Sequence, residues 1–288
     1  MTVDCVEETI NLDGDKIHIY TWAEADVPAR RIVVLIHGLM MHGRSFQSLA
    51  AHLAELGNVV VAPDLRGFGR WYFSPQGEKE RISFSRSLED LSRLFRLLED
   101  KYRGLPLFCA GESLGSHFAR KAVALHPELV SGLILASPCM RPRLVSVPLI
   151  PYTCSQIVLA GLDPAREVNL SPFARQFLKD EPDNLQSYLD DPMSRKSLEV
   201  LELIDSLRVG EMGTADSIPG DLPVLVLRGK NDCVCTDSSM KKFIDTLQST
   251  SLTVHYCGGC GHLILQAAEV KDEVLAVIDS WLDTCQKA

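Results

Sequence analysis

The sequence lacks several features that mark particular classes of protein. No stretch approaches the roughly 18 uncharged apolar residues that a membrane-spanning helix needs. Met1 to Thr9 carries acidic residues and no basic segment followed by an apolar core, so we expect no secretory signal peptide. The formal net charge is −9 and there is no long basic run. Because phosphate binding needs a basic face, a nucleic-acid partner is not expected.

The sequence also lacks a disulfide framework. Its nine cysteines are odd in number and irregularly spaced, whereas small secreted domains show even, regular patterns. With no secretory signal expected, this pattern predicts reduced thiols in a cytoplasmic protein.

What the sequence does have is a succession of short apolar segments. Val6 to Leu12 and Lys16 to Trp22 alternate in polarity on either side of Asp13-Gly14, which predicts a hairpin with a tight turn. Arg31 to Ile36 and Asn58 to Ala62 are rich in β-branched residues without alternation. That pattern is typical of strands buried on both faces of a sheet.

Helical and extended segments alternate along most of the chain. Helical spacing predicts helices at Ser45–Leu56 (with Ser45 as N-cap), Phe84–Tyr102, Ser116–His126, Ser238–Gln248 and Leu263–Cys285. Further strands are predicted at Leu105–Ala110, Leu129–Ser137, Leu222–Leu227 and Leu252–Tyr256. This order predicts an α/β fold: a mostly parallel eight-stranded sheet with helices on both faces and the hairpin at one edge.

The alternation stops in residues 138–221, which are rich in proline and in short helical pieces such as Ser171–Lys179 and Met193–Val209. A segment of this length is too long for a structureless loop in a compact domain. We therefore predict a helical cap at 138–221, inserted into a core formed by residues 1–137 and 222–288. Its apolar residues either line an acyl channel or pack the cap onto the core; they include Val145, Val147, Leu149, Ile150, Ile157, Val158 and Leu159.

The pentapeptide Gly111-Glu112-Ser113-Leu114-Gly115 lies between a predicted strand and a predicted helix. A G-x-S-x-G sequence in that context is a nucleophile elbow, whose strained turn lifts the serine hydroxyl to the carboxyl edge of the sheet. The two glycines allow neighbouring backbone to pass closely because they have no Cβ. Ser113 is therefore the predicted nucleophile.

A serine hydroxyl needs a base to take its proton, and the base needs an acid to fix its tautomer. In enzymes whose serine lies in such an elbow, the three groups follow the order Ser, Asp, His along the chain. Asp232 comes just after a buried strand and His262 after a glycine-rich turn that follows the last strand. We predict Asp232 as the acid and His262 as the base. Asp232 also fits as a cap of the next helix, although Asp237 is nearer to Ser238.

The oxyanion of an acyl-transfer intermediate needs two backbone N–H donors. The N–H of Leu114, directly after the nucleophile, is the first predicted donor. The second is the N–H of Leu39, in the loop after the third strand, with Met40 as the alternative. His37, in the same loop, is predicted to organise the loop rather than to act as a base.

A set of soft metal ligands competes with this interpretation. Cys233-x-Cys235 and Cys257-x-x-Cys260-x-His262 resemble a zinc site. Zinc there would occupy the base that an elbow serine requires, so the serine interpretation is favoured, with neither a metal nor a cofactor expected.

Together these residues resemble the α/β-hydrolase superfamily over nearly the whole chain. They are His37-Gly38, Asp64-x-Arg66-Gly67-x-Gly69, the elbow, Asp232 and Gly261-His262. His42-Gly43-Arg44, Phe46 and Asp191-Pro192 are similar to the lysophospholipase and monoacylglycerol lipase group. That resemblance implies a serine triad that hydrolyses esters of single acyl chains under a mobile helical cap, without a cofactor. Three residues depart from the group: Glu112 replaces a common histidine, Ser116 a common glycine and Leu39 a small residue.

The predicted function is hydrolysis of a small-molecule ester by Ser113, His262 and Asp232. Thioester hydrolysis, acyl transfer, C–C bond hydrolysis and aminopeptidase action remain open on the same fold. An aminopeptidase would need an acidic group such as Glu112, Asp163 or Glu167 to hold a free amine. A non-catalytic ligand receptor is the alternative from another class. Peripheral membrane contact through the cap is also left open, although no strongly basic amphipathic helix supports it.

Overall fold

The computed structural model of this chain describes residues 3–12, 14–74, 79–138, 165–212 and 217–285, and a few single positions between 151 and 163. Its strands are β1 (Val6–Leu12), β2 (Asp15–Trp22), β3 (Arg31–Ile36), β4 (Asn58–Pro63), β5 (Leu107–Glu112), β6 (Gly132–Ala136), β7 (Glu167–Asn169), β8 (Ser197–Glu199), β9 (Val224–Gly229) and β10 (Leu252–Cys257). Its helices include α1 (Gln47–Glu55), α2 (Phe84–Lys101), α3 (Leu114–Leu125), α4 (Ser171–Phe177), α5 (Pro182–Asp190), α6 (Val200–Met212), α7 (Asp237–Asp245) and α8 (Asp272–Cys285).

Eight of these strands form one sheet in the order β1-β2-β4-β3-β5-β6-β9-β10. Only β2 is antiparallel to its neighbours, and the remaining pairs are parallel. Ile36 pairs with Gly111, and Glu112 pairs with Ala136, so β3, β5 and β6 end side by side. The predicted mostly parallel sheet is confirmed. Its carboxyl edge gathers the loops that carry the predicted site.

The period of two along β3 explains why its apolar run is continuous. Ile32, Val34 and Ile36 belong to the apolar cluster that includes residues of α2 and α3. Val33 and Leu35 belong to the cluster that includes residues of α1 and α8. Because helices cover both faces, every side chain of the strand is buried and no polar alternation is needed.

Several helix ends differ from the predictions because local hydrogen bonds compete with helical spacing. Residues 43–46 form a 3₁₀ turn in which Ser45 Oγ accepts the His42 N–H, so Ser45 does not cap α1. The cap of α7 is Thr236, whose Oγ1 accepts the Ser239 N–H at 3.0 Å, and not Asp237. Helix α8 begins at Asp272, because residues 263–271 form an irregular loop.

The described part of the predicted cap is not entirely helical. Strands β7 and β8 pair antiparallel in a small second sheet, and the predicted helix Met193–Val209 divides into β8 and α6. Of the apolar residues named for the acyl channel, all but Leu159 lie outside the described residues. Within the part of the chain that the structure describes, no helix is long and apolar enough to cross a membrane.

Candidate active site

The elbow serine lies in a strained turn between β5 and α3. Ser113 has φ +54° and ψ −117°, and its N–H donates to the Ala136 carbonyl at 2.9 Å. A Cβ on Gly111 would overlap the Gly115 carbonyl, and one on Gly115 would overlap the Ile36 carbonyl. Both glycines are therefore required by close backbone approach, as the sequence predicted. Helix α3 begins at Leu114, two residues before its predicted start.

The structure brings Ser113, His262 and Asp232 into one chain of hydrogen bonds. The Nε2 atom of His262 lies 2.9 Å from the Ser113 Oγ atom, and its Nδ1 atom lies 3.1 Å from Asp232 Oδ2. The Asp232 side chain is fully buried, and that of His262 is only 10% exposed. Three residues from three separate loops at the carboxyl edge thus have the mutual geometry that nucleophile, base and orienting acid require.

Asp232 is held by the loop that follows β9. Its Oδ1 atom accepts the N–H groups of Val234 and Cys235 at 2.8 and 3.1 Å, which leaves Oδ2 directed to His262. Burial raises the pKa of Asp232, but the charge and hydrogen bond of His262 outweigh burial and hold the pKa below its usual value. The carboxylate is therefore ionised at neutral pH.

The surroundings of His262 favour its protonated form. Burial lowers the pKa of His262, but the charge and hydrogen bond of Asp232 and the charge of Glu112 raise it above its usual value. An imidazolium formed during proton transfer from Ser113 would be stabilised by the same groups.

The structure places the two predicted oxyanion donors at the start of α3 and in the loop after β3. Leu114 is the first residue of α3, where a backbone N–H has no partner within the helix and the helix dipole favours negative charge. Leu39 follows Gly38, whose N–H is held at 2.8 Å by the Gln266 side chain. Among the hydrogen bonds of the described residues, none is donated by the Leu39 or Leu114 N–H.

Glu112 has a role that the sequence does not reveal. Its carboxylate is fully buried and accepts backbone N–H groups from Ile264 at 2.6 Å, Leu265 at 2.9 Å and Gln266 at 2.9 Å. These bonds explain why the predicted helix does not begin at Leu263. The N–H groups of residues 264–266 donate to the Glu112 side chain on β5.

A second histidine–aspartate pair joins the loop after β3 to the segment of the predicted cap. His42 Nε2 lies 2.6 Å from Asp191 Oδ2, and the Arg195 N–H donates to the Met40 carbonyl at 2.9 Å. Met40 has φ +69°, an unusual conformation for a residue with a side chain. Asp191 and Arg195, both in the segment predicted as a cap, therefore contact the loop that carries Leu39.

His37 and Asp64 organise the neighbouring loops. The Nε2 atom of His37 accepts the Leu65 N–H at 3.0 Å, and its Nδ1–H donates to the Gly38 carbonyl at 2.8 Å. Burial lowers the pKa of His37 to about 3, so the ring is neutral. Asp64 accepts the N–H groups of Gly43 and Arg70. Neither side chain makes a hydrogen bond with Ser113 in this structure.

The proposed zinc ligands have other partners. Both ring nitrogens of His262 are engaged, and the thiols of Cys233 and Cys235 donate to the carbonyls of Phe177 and Pro138. Within the described ranges, no group of three or more His, Cys, Asp or Glu side chains is arranged to hold a metal ion.

Comparison with known families decides the identity of the fold. Residues 27–269 match the hydrolase family described as serine aminopeptidase, S33. The chain belongs to this S33 hydrolase family.

Relatives of this S33 hydrolase include several monoglyceride lipases. It is 25% identical over 284 residues to a monoglyceride lipase homolog of monkeypox virus, which covers 98% of each chain. It is 23% identical to human monoglyceride lipase, over 95% of this chain and 88% of the relative. A soluble variant of monoglyceride lipase from Saccharomyces cerevisiae, solved with a substrate analog, shares the fold with a TM-score of 0.77 and 22% identity, over 100% of this chain and 95% of that one. The α/β-hydrolase fold, the resemblance to the monoacylglycerol lipase group and the prediction of a lipase-like hydrolase are confirmed.

Sequence reasoning about this S33 hydrolase missed the supporting residues. Glu112 was noted only as a departure from the group and as a candidate amine ligand, and Gln266 gave no local signal. His42 and Asp191 were both singled out by the resemblance, but nothing in the sequence indicated that they pair. Each of these contacts joins residues more than 140 positions apart, beyond the reach of any local pattern.

Proposed function

We propose that this protein is a carboxylic-ester hydrolase of the monoacylglycerol lipase kind, with Ser113 as nucleophile, His262 as base and Asp232 as orienting acid. The observation that carries the proposal is the continuous chain from Ser113 Oγ through His262 to Asp232, with distances of 2.9 and 3.1 Å. The strained backbone of Ser113, unusual for a residue with a side chain, supports the same role.

Acylation follows from this geometry. His262, with its proton on Nδ1 donated to Asp232, accepts the Ser113 proton at Nε2 while Oγ attacks the ester carbonyl carbon. The N–H groups of Leu39 and Leu114 stabilise the negative charge that develops on the carbonyl oxygen. His262 then gives its Nε2 proton to the departing alkoxide, which leaves as the alcohol, and Ser113 carries the acyl group.

Deacylation repeats these steps with water. His262 removes a proton from a water molecule that attacks the acyl-enzyme carbonyl, and the same two N–H groups stabilise the second tetrahedral intermediate. Return of the proton to Ser113 releases the carboxylic acid. No cofactor is needed at any step, because the nucleophile, the base and the oxyanion donors all belong to the chain.

The proposed substrate is an ester with one acyl chain, such as a monoacylglycerol. Its support is the set of relatives named monoglyceride lipases that match almost the full length of the chain. We further propose that residues 138–221 form the cap over the acyl chain. Described residues of this segment contact loops after three different core strands: Asp191 contacts His42, Arg195 contacts Gly67, and Glu181 contacts Gly261.

The test is hydrolysis of p-nitrophenyl esters from two to about sixteen carbons and of 1- and 2-monoacylglycerols. Wild type should turn over, and Ser113→Ala should lose activity by on the order of 10³-fold or more. The matched control is Ser92→Ala, which removes a hydroxyl on α2 that donates to the Leu88 carbonyl within the same helix. Absence of turnover by folded wild type, or full activity of Ser113→Ala, would contradict the proposal. Tight saturable ligand binding without turnover would identify a receptor instead.

The family description makes aminopeptidase action the second candidate. The carboxylates named for holding a free amine have other partners: Glu112 accepts three backbone N–H groups, and Glu167 bonds to Tyr72 and Ser197. Asp163 accepts the Ala165 N–H. These contacts favour the esterase. Aminoacyl p-nitroanilides in the same assay series test it, and turnover of these amides in preference to esters would reverse the assignment.

Location and membrane contact are further parts of the proposal. A cytoplasmic location is supported by the irregular cysteines, seven of which are free thiols among the described residues. Leu201 and Ile204, 49% and 39% exposed, lie three residues apart on α6 of the cap and would supply a membrane contact. Cell fractionation tests the location. Sedimentation with neutral lipid vesicles, wild type against Leu201→Ser, tests the contact, and equal binding by both would exclude this patch.

A further inference from the structure

The loop that carries His262 is tied to the elbow by one buried side chain. Glu112, directly before Ser113, uses its Oε1 atom for the N–H groups of Ile264 and Leu265 and its Oε2 atom for that of Gln266. The side chain is fully buried. Ser113 and His262 are 149 residues apart in the chain. The Glu112 carboxylate joins the elbow of one to the loop of the other.

The same loop reaches the proposed oxyanion donors. Gln266 is 3% exposed, and its Oε1 atom accepts the Gly38 N–H at 2.8 Å, next to Leu39. A Cβ built on Gly38 would lie 3.3 Å from Gln266 Oε1 and 3.5 Å from Ser113 Cβ. Gly38 therefore lies against both the Gln266 carboxamide and the elbow.

We propose that Glu112 and Gln266 are positioning residues that set the elbow, the His262 loop and the Leu39 loop in register with one another. The proposal rests on the ester-hydrolase function, since it assigns support to that site. Glu112 orients the backbone of residues 264–266, and Gln266, held in this way, orients the His37–Gly38 peptide, which directly precedes the peptide that carries the Leu39 N–H. Neither side chain touches the reacting atoms.

Charge is the second effect of Glu112. The titratable groups that face His262 are Asp232 and Cys235 in the loop after β9, Glu112 at the end of β5, and Glu181, which directly precedes α5. Burial raises the pKa of Glu112 above its usual value, although the three N–H donors and the charge of His262 act in the opposite direction and favour its ionised form. Removal of this negative charge lowers the pKa of His262, so the low-pH limb of kcat/KM moves to lower pH.

Two substitutions at residue 112 separate geometry from charge. Glu112→Gln keeps the length of the side chain but removes the charge and places an NH₂ group against one N–H donor. Glu112→Asp keeps the charge but shortens the side chain by one methylene, which moves the carboxylate away from the three N–H donors. We expect kcat to fall about tenfold to a hundredfold in both, with KM little changed, because a misplaced catalytic loop costs rate rather than binding. We expect the low-pH limb to move clearly only in Glu112→Gln.

Gln266→Leu tests the connection to the oxyanion loop. It keeps the side-chain volume and removes the acceptor of the Gly38 N–H. We expect kcat to fall about tenfold through a displaced oxyanion donor, while the low-pH limb stays at the wild-type position. The matched control is Asp90→Asn. Asp90 is a buried carboxylate on α2 that accepts hydrogen bonds from Arg66, and its substitution should lower thermal stability without changing kcat or the pH limb.

NMR titration of the His262 ring in each variant measures its pKa without turnover. If wild type hydrolyses no ester, the proposed function fails, whereas this titration still tests Glu112. Unchanged kcat and unchanged His262 titration in Glu112→Gln would overturn the proposal for Glu112. A Gln266→Leu variant with wild-type kcat would overturn the connection to Gly38. If Glu112→Gln does not fold, Glu112→Asp and Gln266→Leu decide by the same two readouts.

Discussion

Two buried histidines in this protein each pair with an aspartate far away in the sequence. His262 pairs with Asp232 at 3.1 Å between two core loops, and His42 pairs with Asp191 at 2.6 Å between a core loop and the cap. At its other ring nitrogen, His262 contacts Ser113 at 2.9 Å. The two pairs therefore have the same chemistry, and their positions in the fold give them different roles. One pair faces the proposed nucleophile, and the other fastens the cap to the loop that carries Leu39.

The largest expected difference between the pairs is in catalysis. His262→Ala should lower kcat by on the order of 10⁴-fold or more, because it removes the group that bonds to the Ser113 hydroxyl and takes its proton. His42→Ala should lower kcat by only about tenfold, through a less well placed oxyanion loop. Steady-state kinetics on one p-nitrophenyl ester measures both. Equal losses of kcat in the two variants would contradict the proposed difference in role between His262 and His42.

The aspartates should differ in the same direction. Asp232→Asn should lower kcat by about 10³- to 10⁴-fold, because the amide favours the wrong tautomer of His262. Asp191→Asn should change kcat by less than about tenfold, since the Asp191 side chain bonds to His42, Met193 and Ser194 rather than to His262. Thermal melting of both variants serves as the control for folding. A larger loss in Asp191→Asn than in Asp232→Asn would reverse the proposed roles.

The pH dependence of activity should respond to one pair only. The pKa of His262 is raised above 6.5, and the base must be neutral to accept a proton, so kcat/KM should fall as pH drops through this raised pKa. Because Asp232 contributes to raising it, Asp232→Asn should move the limb to lower pH. Asp191→Asn should leave it in place. Profiles of kcat/KM from pH 4 to 9 measure this, and a limb that moves in Asp191→Asn would show that the pairs are coupled.

The pH dependence of stability should respond to the cap pair. Burial raises the pKa of Asp191, but the hydrogen bond and charge of His42 and the N–H of Met193 outweigh it and lower the pKa to about 2. A lowered carboxylate pKa stabilises the fold above its unfolded value of about 3.8 and loses that contribution as pH falls towards 2. Wild type should therefore melt above Asp191→Asn at pH 7, and the difference should shrink below pH 3.8. A difference that stays constant down to pH 2 would contradict this.

The smallest expected effect lies outside both pairs. Thr236→Ala removes the side-chain cap of α7 and should lower the free energy of unfolding by about 1 kcal/mol. Because Asp232 is held by the N–H groups of Val234 and Cys235 and not by the Thr236 side chain, kcat should stay at the wild-type value. Urea denaturation and the ester assay measure the two quantities. A fall in kcat would show that the Asp232 loop depends on this cap.

Local signals were sufficient for the strands of the eight-stranded sheet and for the elbow, but not for β7 and β8 of the small second sheet. Buried strands read as unbroken apolar runs because helices cover both faces, and Gly111 and Gly115 mark a turn where backbone segments touch. Helix starts were less predictable. Thr236, rather than Asp237, caps α7, and the 263–271 loop resembles a helix in sequence until the Glu112 carboxylate is placed beside it.

The sequence by itself determined which residue types stand at the ends of the strands: Ser113 in its elbow, Asp232 after β9 and His262 after β10. These depend on short-range geometry, which a local pattern records. Only the tertiary structure decided the partners: Glu112 with the His262 loop, Gln266 with Gly38, and His42 rather than another histidine with Asp191. Such contacts join residues that lie far apart in the chain, and their distances depend on how the sheet and the cap pack, which no local pattern contains.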